Sequence, residues 1–168
     1  MDPMIIFFIL FLLIIFSIPA LIFLIAYLAA RSRKKKQKAL LEKIGTPEYY
    51  AFVRYNMGNT QNEFFKLKAF QGSGIIYVEG RNIHFVDTLH QNPHVFSLDE
   101  SSIKWEDINI VNGLLKWFSV ADLEKKYYFN IESGMFIFNT NSSKPTTKSV
   151  FDRLVLYQNE MPATLHQI

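Results

Sequence analysis

Residues 4–30 read MIIFFILFLLIIFSIPALIFLIAYLAA, and the eight that follow, 31–38, read RSRKKKQK. Ser17 and Pro19 are the only interruptions of the first run. As a helix rising 1.5 Å per residue, Met4 to Ala30 would measure about 40 Å against a hydrocarbon core of roughly 30 Å. The run is therefore long enough to span a bilayer, with tilt or with its ends among the headgroups. About 130 residues remain, enough for one domain with one core and too few for a second catalytic domain.

Ala29 and Ala30 are small residues near the end of the run, as at a signal-peptide cleavage site. A signal peptide, however, carries a positive n-region and a shorter apolar core, whereas this sequence begins Met1-Asp2-Pro3 and stays apolar far longer. The expectation is an uncleaved anchor. Pro19 removes one backbone donor, a feature common in membrane helices. Only Asp2 precedes the run, while Arg31, Arg33, Lys34, Lys35, Lys36 and Lys38 follow it. The flank rich in Lys and Arg stays on the cytoplasmic side, so the expected arrangement is single-pass in the cell membrane, N-terminus outside and C-terminal domain cytoplasmic. These six residues are the candidate membrane-surface contacts, since each lies within a Debye length of an anionic leaflet. Fixing topology is a sufficient role for them without specific lipid recognition.

The whole chain has 18 Lys and Arg against 15 Asp and Glu. Setting aside the six basic residues and Asp2 leaves 12 against 14 after position 38. The basic pI thus belongs to the membrane flank, and the rest lacks the excess of a nucleic-acid binder. The absence of cysteine excludes disulfides, a thiol nucleophile and thiolate metal sites.

Residues 31–61 read as a basic juxtamembrane segment with short linker helices. Ala39, Leu40, Leu41 and Ile44 continue a helical stripe to Gly45. Thr46 and Pro47 resemble an N-cap and first helical position, predicting a second short helix through Met57 to Gly58. Its aromatics, Tyr49, Tyr50, Phe52 and Tyr55, suit either an interfacial belt or packing on the domain. From residue 62 the period changes to two. Strands are predicted at 63–70, 74–79, 82–87, 94–98, 103–111, 117–123, 126–131 and 135–139. Turn chemistry separates them, including Gln71-Gly-Ser-Gly74, Gly80-Arg-Asn82 and Asn112-Gly113. Tyr127, Phe129 and Ile131 share one strand face and Tyr128 and Asn130 the other, so one sheet face should be buried. After a polar loop, Pro145 and Thr146 or Thr147 introduce a last helix with the apolar stripe Phe151, Leu154, Val155 and Met161, flanked by Val150 and Tyr157. The fold class expected is a transmembrane helix plus a mainly β domain, an antiparallel partly closed barrel of about seven strands with a C-terminal α-helix spanning 62–161, followed by a tail at 162–168.

This order of elements resembles the pleckstrin-homology superfold, GRAM domains included. Gly74-Ile-Ile-Tyr-Val-Glu-Gly-Arg-Asn-Ile-His-Phe85 is similar to its second and third strands. Ile103-Lys-Trp-Glu-Asp-Ile108 resembles the hydrophobic-x-Trp-x-x-Ile segment, and 127–139 with 150–156 resembles the closing hairpin and helix. Phe151 and Leu154 stand where such helices carry a Trp. Phosphoinositide-binding members hold the headgroup with convergent Lys and Arg on the first two strands and their loop. Here the loop is Gln71-Gly-Ser-Gly74, with only Lys66 and Lys68 before it, so the resemblance implies scaffolding or partner binding.

No Walker loop, dinucleotide fingerprint, nucleophile elbow or His-Glu-x-x-His motif occurs. Gly72-Ser-Gly74 is too short for a phosphate cradle and reads as a hairpin turn. His90 and His94 suggest a shared metal, but Gln91-Asn-Pro93 between them indicates a loop and no third ligand can be named. Asp99-Glu100 and Glu106-Asp107 flank Ile103-Lys-Trp105 and could form an acid–base pair, although acids at strand ends are ordinarily solvated. No cofactor, metal or nucleic acid is expected. The function expected is a non-enzymatic interaction module anchored in the lipid bilayer, with a protein partner, as an accessory or regulatory component of a membrane-associated protein complex. The alternative is a module that binds or transfers inner-leaflet lipid.

Overall fold

The computed structural model describes residues 3–57, 70–106, 115–131 and 145–160. The chain divides into two compact units, Met1–Lys35 and Lys36–Ile168. Helix α1, Pro3–Ile44, provides the described part of the first unit and the opening turns of the second. Its large apolar side chains from Met4 to Leu28 are exposed, and it is the one described helix long and apolar enough to cross a membrane. Pro19 lies within it without ending it, and the Ser17 hydroxyl donates to the Ile14 carbonyl at 3.1 Å.

In the second unit α1 ends where Gly45 adopts φ 93° and its N–H reaches the Leu41 carbonyl at 2.9 Å. Seven strands follow: β1 Tyr49–Met57, β2 Gly72–Glu79, β3 Asn82–Asp87, β4 Pro93–Ser97, β5 Ser102–Glu106, β6 Trp117–Ala121 and β7 Lys126–Asn130. Helix α2, Thr147–Glu160, is the last described element. The strands form one open antiparallel sheet ordered β4-β3-β2-β1-β7-β6-β5. Its curl brings distant strands together. Phe85 on β3 lies 5.0 Å from Phe129 on β7, and Phe96 on β4 lies 5.8 Å from Tyr127, although β2 and β1 intervene in the sheet order.

The stretch predicted as a second short helix is strand β1. Thr46-Pro47 imitates a helix start, but Tyr49, Ala51, Val53 and Tyr55 alternate with Tyr50, Phe52, Arg54 and Asn56, a period of two in β-favouring residues. β1 is also the central strand, paired with β2 (Tyr49 to Val78, Val53 to Gly74) and with β7 (Arg54 to Asn130, Met57 to Tyr127). The domain therefore starts well before residue 62. Gln71-Gly-Ser-Gly74 is likewise no hairpin turn, because Gly72–Gly74 is the start of β2. The glycines there permit close approach: a Cβ on Gly72 would stand 2.7 Å from the Tyr55 ring, and one on Gly74 would overlap the Val86 carbonyl oxygen. The strands predicted at 63–70 and 135–139 lie, Phe70 apart, outside the described residues, as do Ile108 and Met161.

The main core gathers on the concave face from Val53, Ile76, Val78, Ile83, Phe85, Phe96, Phe118 and Phe129. α2 seals it with Val150 and Leu154, both fully buried, while Phe151 meets Trp105 edge-on at 5.4 Å. A reciprocal cap starts this helix: the Ser149 N–H donates to Thr146 Oγ1 and the Thr146 N–H to Ser149 Oγ. Thr147 Oγ1, buried, accepts from the Ile131 N–H at 3.1 Å, which fastens the helix to the end of β7. At its other end Gln158 Nε2 donates to the Leu98 and Ser101 carbonyls, bridging the β4–β5 connection. The convex face is also partly buried. Ile75, Tyr77 and Val86 pack with Leu40, and Phe70, Trp117 and Tyr128 form a separate cluster.

Candidate functional site

The six basic residues all lie on α1, where Arg31, Lys34, Lys35, Lys36 and Lys38 are exposed and Arg33 is half-buried. Within the basic run sits an uncharged residue, Gln37, and it is buried. Its Nε2 donates to the Val53 carbonyl at 3.1 Å and the Gly74 carbonyl at 2.9 Å, so both amide protons are satisfied by a paired position of β1 and β2. Gln37, Leu40, Leu41 and Ile44 fall at i, i+3, i+4 and i+7, one face of the helix. That face lies on Phe52, Ile75, Tyr77 and Val86. The predicted stripe through Leu40, Leu41 and Ile44 is therefore real, except that Ala39 is exposed. Sequence reasoning passed over Gln37. Its signal was present: an uncharged side chain between Lys36 and Lys38, at the spacing that continues the stripe.

Tyr49 and Tyr55 join the main core, Phe52 the convex cluster, and Tyr50 is exposed. Packing on the domain is thus the fate of three of the four aromatics. Tyr50, Tyr77, His84 and Val95 are register partners in one row across β1 to β4, with the Tyr77 and His84 rings stacked at 4.8 Å. Burial pushes the His84 imidazole below its ordinary pKa, partly offset by Glu79.

His90 and His94 do not converge on a common point. His90 Nδ1 lies 3.1 Å from Asp87 Oδ2, and His94 Nε2 lies 2.9 Å from Asp122 Oδ2. Among the described residues no group of three or more His, Asp or Glu could hold a metal. The His94–Asp122 pair joins edge strand β4 to the β6–β7 turn, with the His94 ring against Phe96 and Tyr127. Burial would raise the Asp122 pKa, but bonds from the Lys125 and Glu124 amides and from His94 outweigh it and hold the carboxyl low.

Of the acidic residues singled out, Asp99 and Glu106 are each held by their own partners. Asp99 forms a two-pronged ion pair with Arg81, its Oδ2 accepting from Nε at 2.8 Å. Glu106 Oε1 accepts from the Ser119 hydroxyl at 2.6 Å and from Lys126 Nζ at 2.9 Å. Burial pushes Glu106 up, yet those donors together keep it below the usual carboxylate range. Both acids thus act as structural acceptors. Asp107, Lys66 and Lys68 lie outside the described residues. No protein-family model matches the chain, and no curated protein matches it.

Proposed function

We propose that this chain is a single-pass, membrane-anchored, non-enzymatic interaction module whose second unit, a pleckstrin-homology/GRAM-like domain, lies in the cytosol and serves as an accessory or regulatory component of a membrane-associated protein complex. The observation that carries the reading is the uncovered apolar helix followed at once by exposed basic residues. The sheet order, with β1 shared between its two halves and a C-terminal helix sealing the curl, supports the domain assignment. The exposed Tyr50 and Val95, at the two ends of a cross-strand row whose member Tyr77 is buried under α1, offer a protein partner two separate apolar contacts, one of them aromatic. The ion pairs of Asp99 and Glu106 engage two members of the acid–base constellation considered around Ile103–Trp105.

Two measurements test this. Protease added outside sealed cells should leave residues 39–168 intact, and cleavage there would overturn the topology. A protein that co-purifies stoichiometrically with the detergent-solubilised chain should be lost on Val95→Asp, while persistence at full yield would remove Val95 from the partner site.

A further inference from the structure

Exposed apolar residues collect at one end of the sheet. β1 ends at Met57, opposite Tyr127 near the start of β7, and β3 ends at Asp87, opposite Gly74 near the start of β2. The turns leaving this end carry Leu89, between β3 and β4, and Leu123, between β6 and β7. Leu123 is fully exposed, Leu89 is 64% exposed and Met57 is 48% exposed. Neither turn is a loose tip. Asp87 Oδ1 accepts from the Leu89 and His90 amides at 2.5 and 2.8 Å, and Asp122 Oδ1 accepts from the Glu124 and Lys125 amides at 2.8 and 2.7 Å. The His94–Asp122 pair then ties the β6–β7 turn to β4. Two leucines are thus held outward by structured turns, positions ordinarily filled by polar residues.

The chain enters the second unit at this same end, because Gln37 is bonded to Val53 and Gly74, whose sheet partner is Asp87. Only residues 31–36 separate Ala30 from Gln37. Fully stretched, that chain reaches about 25 Å, which bounds the distance however the two units are arranged. Lys43 Nζ, bonded to Gln91 Oε1 in the β3–β4 turn, adds a cation to the rim, Glu124 and Lys125 cancel one another, and the Asp87 and Asp122 carboxylates are turned to the amides of their own turns, so the leucines carry the contact.

We propose that this rim is a lipid-contacting surface: Leu89 and Leu123, with Met57 beside them, enter the interfacial zone of the bilayer that holds the same chain's apolar helix, while Lys43 on the same rim faces its anionic headgroups. The contact is apolar insertion supported by diffuse charge, and it selects no particular headgroup. It rests on the reading that residues 4–30 are embedded in that bilayer.

The chain contains no cysteine, so single cysteines give site-specific labels without background. The full chain carrying Leu89→Cys, Leu123→Cys, Glu100→Cys or Ile22→Cys is labelled with an environment-sensitive fluorophore. It is then reconstituted into phosphatidylcholine–phosphatidylglycerol vesicles containing a lipid-borne nitroxide, with iodide on both sides as the aqueous quencher. Glu100, exposed in the β4–β5 connection at the opposite end of the sheet, is the reference, and Ile22 reports the anchor. The labels at 89 and 123 should be blue-shifted and quenched by the nitroxide several-fold more than the label at 100. If they behave like the label at 100 while the label at 22 is quenched, the rim inference falls and the anchor stands. Shielding from iodide without quenching by the nitroxide would assign the rim to a protein contact and overturn the inference. An unquenched label at 22 would overturn the anchor and the rim together.

Discussion

Replacing Gln37 by Glu should loosen the junction between the basic segment and the sheet, although the change involves only one atom group. Gln37 Nε2 gives one proton to each of two backbone carbonyls in a buried site. Each such bond contributes about 1 kcal/mol net, so removing the donor forfeits about 2 kcal/mol. A carboxylate would also set negative oxygens against two carbonyl oxygens without compensation, bringing the expected loss to about 3 kcal/mol or more. Lys38→Glu makes a larger change of formal charge one residue away, but Lys38 is exposed, so it should stay within about 0.5 kcal/mol. Gln37→Leu keeps the shape and loses the donors, and should fall between them at about 1–2 kcal/mol. Chemical denaturation of a fragment beginning at Lys36, followed by Trp105 and Trp117 fluorescence, ranks the three. Equal small losses for Gln37→Glu and Lys38→Glu would show that α1 does not dock on the convex face, refuting the reasoning.

Leu154→Asp places an unpaired charge in the fully buried contact between α2 and the sheet and should cost several kcal/mol, whereas Arg153→Asp on the exposed side should cost about 0.5 kcal/mol, both read from denaturation midpoints. Gly74→Ala forces a methyl against the backbone of Val86 and should lower stability by about 2 kcal/mol or more, visible as a fall in Tm. The pKa of Glu106 is depressed by folding, so its contribution is present above the unfolded carboxylate pKa and is lost as pH falls through the folded value. Glu106→Gln should therefore flatten the acid limb of the stability–pH curve below about pH 4.5 and leave the slope near neutrality unchanged.

The long patterns were legible, as were the local signals at Gly45, Gly80 and Thr146, whereas two other local signals misled. The apolar run at 4–30, the strands from Gly74 to Asn130 and the α2 stripe through Leu154 each rest on many residues with one period, and the structure keeps them. Thr46-Pro47 and Gly72-Ser-Gly74 are two- and three-residue cues, and tertiary pairing overrode both. β1 is a strand because β2 and β7 flank it, and the glycines serve close packing against Tyr55 and Val86, which no neighbour in sequence reveals. Of the candidate site residues, the basic positions were evident from charge alone. Gln37 escaped notice because its role depends on two carbonyls 16 and 37 residues away. His94 and Asp122 were equally hidden, being 28 residues apart and joined only by the curl of the sheet.

The central place of β1 also bears on how the chain is made. Its second half, Arg54–Met57, waits for Tyr127–Asn130, and Met57 and its partner Tyr127 are 70 residues apart in the chain. At a synthesis rate of roughly 5–20 residues per second that interval lasts about 4–14 s. β2, β3 and β4 can assemble on β1 meanwhile, leaving a nascent half-sheet with an unpaired strand edge beside half a core. Such an edge invites pairing with another nascent chain, most of all where polysomes crowd at a membrane. Each chain is exposed to that hazard once during synthesis, and it ends when β7 docks.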